Sequence, residues 1–158
     1  MAAPRREDLP GPSAGVRHDP RAVLAIIVGG AVGTLARAAM SQAWPHDPTS
    51  WPWATFVVNV VAAAVLGWTV SWLQTHRPRS TYRRPLIGTG FCGGLSTFST
   101  MELEIVRMVQ AHAFGLAVVY TLASIAAGLA AVQLGTTVAR RYRPPAGPAP
   151  AEPAGGTE

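Results

Sequence analysis

The chain has 158 residues, of which 49% are hydrophobic and only 13% are charged, and its mean hydropathy is +0.23. Soluble domains carry about 25% charged residues, so this composition argues against a soluble fold. All 13 basic residues are arginines, and they lie between apolar stretches instead of along a basic face, which argues against nucleic-acid binding. The single cysteine, Cys92, excludes an intrachain disulfide.

Two low-complexity tails flank the apolar part of the chain. Residues 1–20 are rich in Pro, Arg and Gly and contain no apolar stretch typical of a secretory signal. Residues 143–158 are rich in Pro, Ala and Gly. Neither tail has enough apolar surface to offset the entropy cost of ordering, so both are predicted to be disordered, on either side of one folded domain at 21–142.

Three long apolar segments are predicted to cross the membrane as helices: Ala22–Met40, Trp53–Leu73 and Ala113–Val138. Each is long enough to cross about 30 Å of hydrocarbon. The only charge in the first segment, Arg37, lies near one end, where its side chain can reach the interface.

A further apolar segment, Leu86–Met101, has only 16 residues and is interrupted by Gly93–Gly94 and then by Ser and Thr. So few good helix formers predict a broken helix, and a break at membrane depth survives only where protein or water satisfies the backbone. The predicted fold is an all-α membrane protein with four transmembrane helices, the third broken mid-membrane. The break is the expected functional centre.

The arginines predict the orientation of these spans. An even number of spans puts both termini on one side, which carries 11 arginines against two, Arg37 and Arg107, on the other. The positive-inside rule therefore predicts a multi-pass protein of the cell (plasma) membrane with both termini in the cytoplasm.

Two glycine motifs have different interpretations. Gly88–Gly93 matches the G-x-G-x-x-G pattern of dinucleotide loops, but it follows no strand and lies inside an apolar span, so no nucleotide cofactor is predicted. Gly29 and Gly33 form a G-x-x-x-G pair, which predicts close packing between helices.

Polar residues inside the spans suggest a path for an ion. Asn59 either forms an interhelical hydrogen bond or donates an N–H to an anion in a water-filled path, and the sequence leaves both open. In Gly93–Glu104, the free N–H groups of a new half-helix and the ring edge of Phe98 favour anions, whereas exposed carbonyls beside the break can coordinate a cation. Tyr120 and Ser124 share a helical face and either extend this polar track or bond back to their own helix.

The sequence offers little support for proton-coupled export or for hydrolytic catalysis. The first, second and fourth spans contain no Asp or Glu, whereas proton-coupled exporters need a titratable group in the membrane, and the nearest acids are Glu102 and Glu104. A hydrolytic enzyme is unsupported because all four histidines lie at span ends or in tails, and no enzymatic activity is predicted. These are His18, His46, His76 and His112.

Four stretches together resemble the CrcB/Fluc family of fluoride channels. They are GGAVGTLAR in the first span, ATFVVN in the second, GTGFCGGLSTFST in the third, and Tyr120 with Ser124 in the fourth. They occur in the family's order over roughly residues 25–138.

The resemblance implies a dual-pore channel built from two antiparallel subunits, through which fluoride leaves the cytoplasm passively. It implies a structural Na⁺, not transported, held at the dimer interface by the backbone carbonyls of Gly93 and Ser96, the latter standing where the family usually has Thr. It also implies that seven residues line the fluoride path: Asn59, Phe98, Ser99, Thr100, Met101, Tyr120 and Ser124.

The chain departs from the family motif at Met101, where the second aromatic residue of TFSTF is expected. Methionine is polarizable but has no electropositive ring edge. Antiparallel homodimers also require insertion in both orientations, which an 11-to-2 distribution of arginines disfavours. We therefore expect pairing with an oppositely oriented homologue, although a homodimer stays open. Two other functions remain as alternatives, a four-helix coupled exporter of small cations or drugs and a non-conducting structural partner of a channel homologue.

Overall fold

The computed structural model describes residues 19–76 and 82–142, and every regular element within these ranges is helical. The predicted tails at 1–18 and 143–158 lie outside the described residues. The first helix begins inside the predicted N-terminal tail, at Pro20, because the Asp19 carboxylate caps it by accepting the Arg21 N–H at 3.0 Å. The helices are α1 (Pro20–Ala43), α2 (Trp53–His76), α3 (Arg84–Cys92, continuing as Gly93–Leu95), α4 (Phe98–Gln110) and α5 (Phe114–Arg141).

Three of these helices are long and apolar enough to cross a membrane: Pro20–Ala43, Trp53–Gln74 and Phe114–Arg141. They correspond to the first, second and fourth predicted spans, and each ends beyond its predicted C-terminal limit. Most of their surface is exposed in the single chain, as expected where lipid or another subunit covers apolar side chains.

The third predicted span is two helices and not one. Its first part, Arg84–Cys92, is wound as a π-helix, and its second part is α4. The sequence predicts an interruption at Gly93–Gly94 and then at Ser and Thr. The first part is wrong, because these glycines continue the helix to Leu95, and Ser96 and Thr97 are the extended residues. Gly94 stays helical where its missing side chain allows α1 to pack against it, whereas a Cβ on Gly93 would meet nothing within 4 Å.

The contact between α1 and α3 is made of backbone against backbone. A Cβ on Gly29 would overlap the Leu86 carbonyl, and a Cβ on Gly33 would overlap the Phe91 carbonyl. From the other side, a Cβ on Gly94 would overlap the Gly30 carbonyl. The predicted G-x-x-x-G contact is confirmed, and its partner is α3.

A short turn folds α4 back onto α5. The Ala113 N–H donates to the Met108 carbonyl at 2.8 Å, the His112 N–H donates to Val109 at 3.0 Å, and His112 adopts φ 60°. This Schellman-type ending satisfies the last carbonyls of α4 within three residues. Met108 and Tyr120 thereby meet in one buried cluster between α4 and α5.

Candidate functional site

Asn59 of α2 binds the backbone at the interruption between α3 and α4. Its Oδ1 accepts the Thr97 N–H at 2.8 Å, and its Nδ2 donates to the Thr97 carbonyl at 3.2 Å. One side chain therefore satisfies both backbone groups of an extended residue, which is the condition for irregular backbone inside a membrane. Of the two interpretations left open by the sequence, the interhelical hydrogen bond is present, and the second N–H of the amide remains as a donor.

Two carbonyls at the end of α3 lose their usual helical partners. In a continuing helix the Gly93 carbonyl would accept from Thr97, but that N–H binds Asn59. The Gly94 carbonyl accepts instead from Arg37 Nε at 3.2 Å. Arg37, expected to reach the membrane interface, thus crosses from α1 to the interruption and fixes one of its two sides.

The start of α4 is capped by a group of hydroxyls. The Thr97 Oγ1 accepts the Thr100 N–H at 3.2 Å and lies 2.9 Å from the Thr100 hydroxyl and 3.4 Å from the Ser99 hydroxyl. An N-cap of this kind leaves the remaining first-turn N–H groups at the positive end of the helix. Ser99 and Thr100, predicted for the ion path, therefore lie beside the Asn59 contact.

A buried carboxylate lies one turn further along α4. Glu104 is only 4% exposed. Its Oε1 accepts from the Thr55 hydroxyl of α2 at 2.6 Å, and its Oε2 accepts from the Tyr120 hydroxyl of α5 at 2.8 Å. His46 Nε2, from the segment between α1 and α2, is 3.8 Å from Oε1. Three separate parts of the chain thus converge on one acid.

The other predicted site residues fall on two surfaces. Phe98 is 73% exposed, and Gly93 and Ser96 are also exposed, so all three face out of the single chain beside the interruption. Met101 is 8% exposed and packs in the cluster that contains Tyr120.

Ser124 follows Tyr120 by one helical turn along α5. Its hydroxyl is buried and lies close enough to the Tyr120 hydroxyl to interact with it. Ser124 therefore extends the line of polar groups that leads from Glu104 through Tyr120.

Glu104 and Thr55 were not selected from the sequence. In the sequence Glu104 is only an acid near the end of a span, and Thr55 lies in an apolar run. A signal was present, because Met101, Glu104 and Met108 recur at spacings of three and four, and all three are buried on one face of α4. A carboxylate inside such a stripe indicates a buried polar contact, although its partners on α2 and α5 depend on tertiary packing.

Apolar helices of membrane-spanning length, joined by an interrupted segment whose free backbone groups are held by polar side chains, define a membrane protein of the channel or transporter class. The comparison with known families then identifies the group. A family model described as "CrcB-like protein, Camphor Resistance (CrcB)" matches residues 24–136, and the chain belongs to this family.

The chain aligns with nearly the whole length of several named relatives. A protein of Mycolicibacterium paratuberculosis named "Fluoride-specific ion channel FluC 1" is 55% identical over 127 residues, covering 80% of this chain and 96% of the relative. A protein of the same name from Mycobacterium bovis is 51% identical over 126 residues, which cover 80% of this chain and 96% of the relative. A Caulobacter vibrioides "Fluoride-specific ion channel FluC" is 39% identical, over 75% and 95% respectively.

Proposed function

We propose that this protein is a fluoride-selective ion channel subunit that lowers cytoplasmic fluoride by passive efflux. The observation that carries the proposal is the interruption held by Asn59, in a chain 55% identical to a protein named as a fluoride-specific ion channel over 96% of that protein. The protein is a channel and carries out no enzymatic reaction. Its place is the plasma membrane, with both termini in the cytoplasm, as the distribution of arginines predicts.

The proposed fluoride path follows the predicted polar residues and adds two found in the structure. It begins at the remaining N–H of Asn59 and the exposed ring of Phe98, beside the hydroxyls of Ser99 and Thr100. It continues past Met101 to the Glu104 cluster with Thr55 and Tyr120, and ends near Ser124. Donors along this line replace the water that a small anion loses, and a narrow path made of them excludes larger anions.

An anion can pass beside a buried carboxylate only if hydrogen bonds and nearby positive charge compensate the negative charge of that carboxylate. Glu104 has each oxygen bound by a hydroxyl, and His46 lies close enough to compensate its charge when protonated. In this proposal Tyr120 is shared: it donates to Glu104 at rest and donates to fluoride when the ion passes.

The proposed structural Na⁺ fits the backbone next to the interruption. The Gly93 carbonyl has lost its helical N–H to Asn59, and both Gly93 and Ser96 are exposed at the surface of the chain. Carbonyl oxygens are suitable ligands for a hard cation. One chain contributes two of them, so a second subunit would complete the site and the ion would join the two subunits electrostatically.

The proposed assembly is an antiparallel dimer with an oppositely oriented homologue. Support comes from the 11-to-2 distribution of arginines and from Met101, which replaces an aromatic ring in the family motif and is buried beside Tyr120. Tags at both termini, tested for accessibility in cells expressing this chain alone, measure its orientation. A single orientation supports the heterodimer, and equal populations of both orientations would contradict it.

Efflux of fluoride from liposomes tests the function itself. The purified chain is reconstituted alone and together with a second homologue, and fluoride and chloride are followed with ion-selective electrodes. Fast efflux of fluoride but not chloride in either preparation is the expected result. Efflux that requires a proton gradient would instead indicate a coupled exporter, for which the buried Glu104 supplies a titratable group that the first, second and fourth spans lack.

The non-conducting alternative has its own distinguishing outcome. If this chain only stabilised a conducting homologue, deleting it would lower the homologue's abundance together with fluoride resistance. The channel proposal expects fluoride resistance to fall while the abundance of the homologue is unchanged.

A further inference from the structure

A cleft of about 290 Å³ opens between the C-terminal halves of α2 and α5. We call it the interhelix cleft. It is lined by Leu66, Gly67, Val70, Ser71 and Gln74 of α2 and by Val132, Thr136 and Arg140 of α5. The Arg140 guanidinium is the one charged group among these lining residues, and no carboxylate is among them. The cleft therefore carries a positive charge.

Two glycines bring α2 and α5 into contact where the cleft begins. A Cβ on Gly67 would overlap the Val132 carbonyl, and a Cβ on Gly135 would overlap the Ala64 carbonyl. The Thr136 hydroxyl donates to the Gly67 carbonyl at 3.4 Å. Because the two backbones already touch here, a ligand cannot pass between the helices and must lie along them.

The lining changes from apolar to polar along the helix axes. Leu66 and Val132 lie at one end, and Gln74 and Arg140 follow them by eight residues, which in a helix is about 12 Å. All four residues are exposed, so a ligand can reach both ends. A soluble anion would use only the polar end. A phospholipid matches both ends, because it carries a phosphate next to apolar chains.

The polar end of the cleft lies where the headgroups of a membrane are expected. The rings of Trp68 and Trp72 stack near the end of α2, with centroids 5.6 Å apart, and such aromatic residues are typical of the membrane interface. No carboxylate among the described residues forms an ion pair with Arg140. The proposed orientation puts this end in the cytoplasmic leaflet, whose anionic lipids attract arginine.

We propose that the interhelix cleft binds one anionic phospholipid. The Arg140 guanidinium and the Gln74 amide bind the headgroup phosphate, and Leu66, Val70 and Val132 contact an acyl chain. A lipid in this position contacts α2 and α5 together and stabilises the folded protein. No residue assigned to the fluoride path lines the cleft, so the proposal stands or falls independently of the proposed function.

Native mass spectrometry of the full-length protein in detergent measures lipid binding without transport. We expect one phosphatidylglycerol per chain to bind about ten-fold more tightly than phosphatidylcholine with the same acyl chains, because only the first headgroup has a net negative charge. Glycerophosphoglycerol, which is the same headgroup without acyl chains, should not compete at equal concentration. Equal affinity for the two lipids overturns the proposal, and so does displacement of the lipid by the chain-free headgroup.

Two arginine variants locate the headgroup. Arg140→Gln should weaken binding of phosphatidylglycerol by about ten-fold, the effect of one hydrogen-bonded charged contact. Arg141→Gln is the matched control, since it removes the next arginine of the same helix end, which does not line the cleft, and it should retain most of the affinity. Equal losses in both variants would show attraction to the basic end of α5 as a whole and would overturn the site.

Two valine variants locate the acyl chain. Val132 and Val138 are both 37% exposed on α5, but only Val132 lines the cleft. Phosphatidylglycerol should raise the thermal unfolding temperature of the wild type and of Val138→Trp. The same lipid should not raise that of Val132→Trp, whose indole fills the apolar end. An equal rise in all three proteins would show that the lipid binds elsewhere and would overturn the proposal.

Discussion

Two helix–helix contacts in this molecule are built from opposite kinds of residue. Between α1 and α3, glycines bring backbones together, and a Cβ on Gly29 or Gly33 would overlap a carbonyl of the facing helix. Between α4 and its neighbours α2 and α5, the central residue is a carboxylate, Glu104, held by two hydroxyls. The first contact depends mainly on shape, with one hydrogen bond from Arg37 to the Gly94 carbonyl, and the second depends on hydrogen bonds.

The difference explains where function can lie. A glycine contact leaves no room for an ion and has few polar side chains, so it can only position α3. A cluster of buried polar groups is expensive to build unless all are satisfied, and it is therefore the contact that can exchange one partner for a passing anion. Arg37 and Asn59 join the two regions by holding opposite sides of the interruption.

The largest effect is expected from breaking the shape-dependent contact. Gly33→Ala places a methyl group against the backbone of α3, where neither helix can yield. It should lower the free energy of unfolding by about 3 kcal/mol or more, the upper end of overpacking effects. Gly128→Ala is the control, because a Cβ there meets nothing within 4 Å, and it should be neutral or stabilising. Thermal unfolding in detergent measures both, and equal stability of the two variants would contradict the close contact.

A smaller effect is expected from removing one hydrogen bond of the polar contact. Tyr120→Phe keeps the ring but leaves one Glu104 oxygen without its hydroxyl, which should cost about 1.5–3 kcal/mol of unfolding free energy. Tyr82→Phe, at an exposed position, should change stability by less than about 0.5 kcal/mol. If both variants unfold like the wild type, the Tyr120–Glu104 bond does not form in the membrane.

The smallest effect is expected at the cap of α4. Thr97→Val removes the hydroxyl that accepts the Thr100 N–H and should cost about 1 kcal/mol, whereas Thr97→Ser retains the cap and most of the stability. Unfolding of the two variants side by side gives the difference. Since Thr97→Val keeps the methyl group and loses only the hydroxyl, a Thr97→Val variant as stable as the wild type would contradict the cap.

Much of the fold follows from local pattern. The three apolar spans were predicted because their length and composition leave few alternatives, and the G-x-x-x-G pair of α1 indicated a close contact correctly. The third span is predicted to be interrupted at Gly93–Gly94 and then at Ser and Thr, and of these residues only Ser96 and Thr97 are extended. Glycine is a poor helix former in isolation, but packing against Gly30 keeps Gly94 helical.

The candidate site was less accessible to prediction because its contacts are distant in sequence. Asn59 is 38 residues from Thr97, and Thr55 is 49 from Glu104, so neither partnership leaves a local pattern. The family motif indicated the predicted path residues, and it supplied no reason to select Thr55 or Glu104. Their role depends on how α4 packs between α2 and α5.

The most direct test of the account is fluoride and chloride efflux from liposomes carrying the wild type, Glu104→Gln or Glu102→Gln, reconstituted with the partner that supports wild-type activity. Glu102 is exposed and lies two residues before the buried acid, which makes it the matched control. We expect fluoride-only efflux for the wild type and for Glu102→Gln. A folded Glu104→Gln should be at least about ten-fold slower, since an amide cannot accept both hydroxyls as the carboxylate does. Wild-type efflux by Glu104→Gln, or chloride efflux as fast as fluoride efflux, would contradict it.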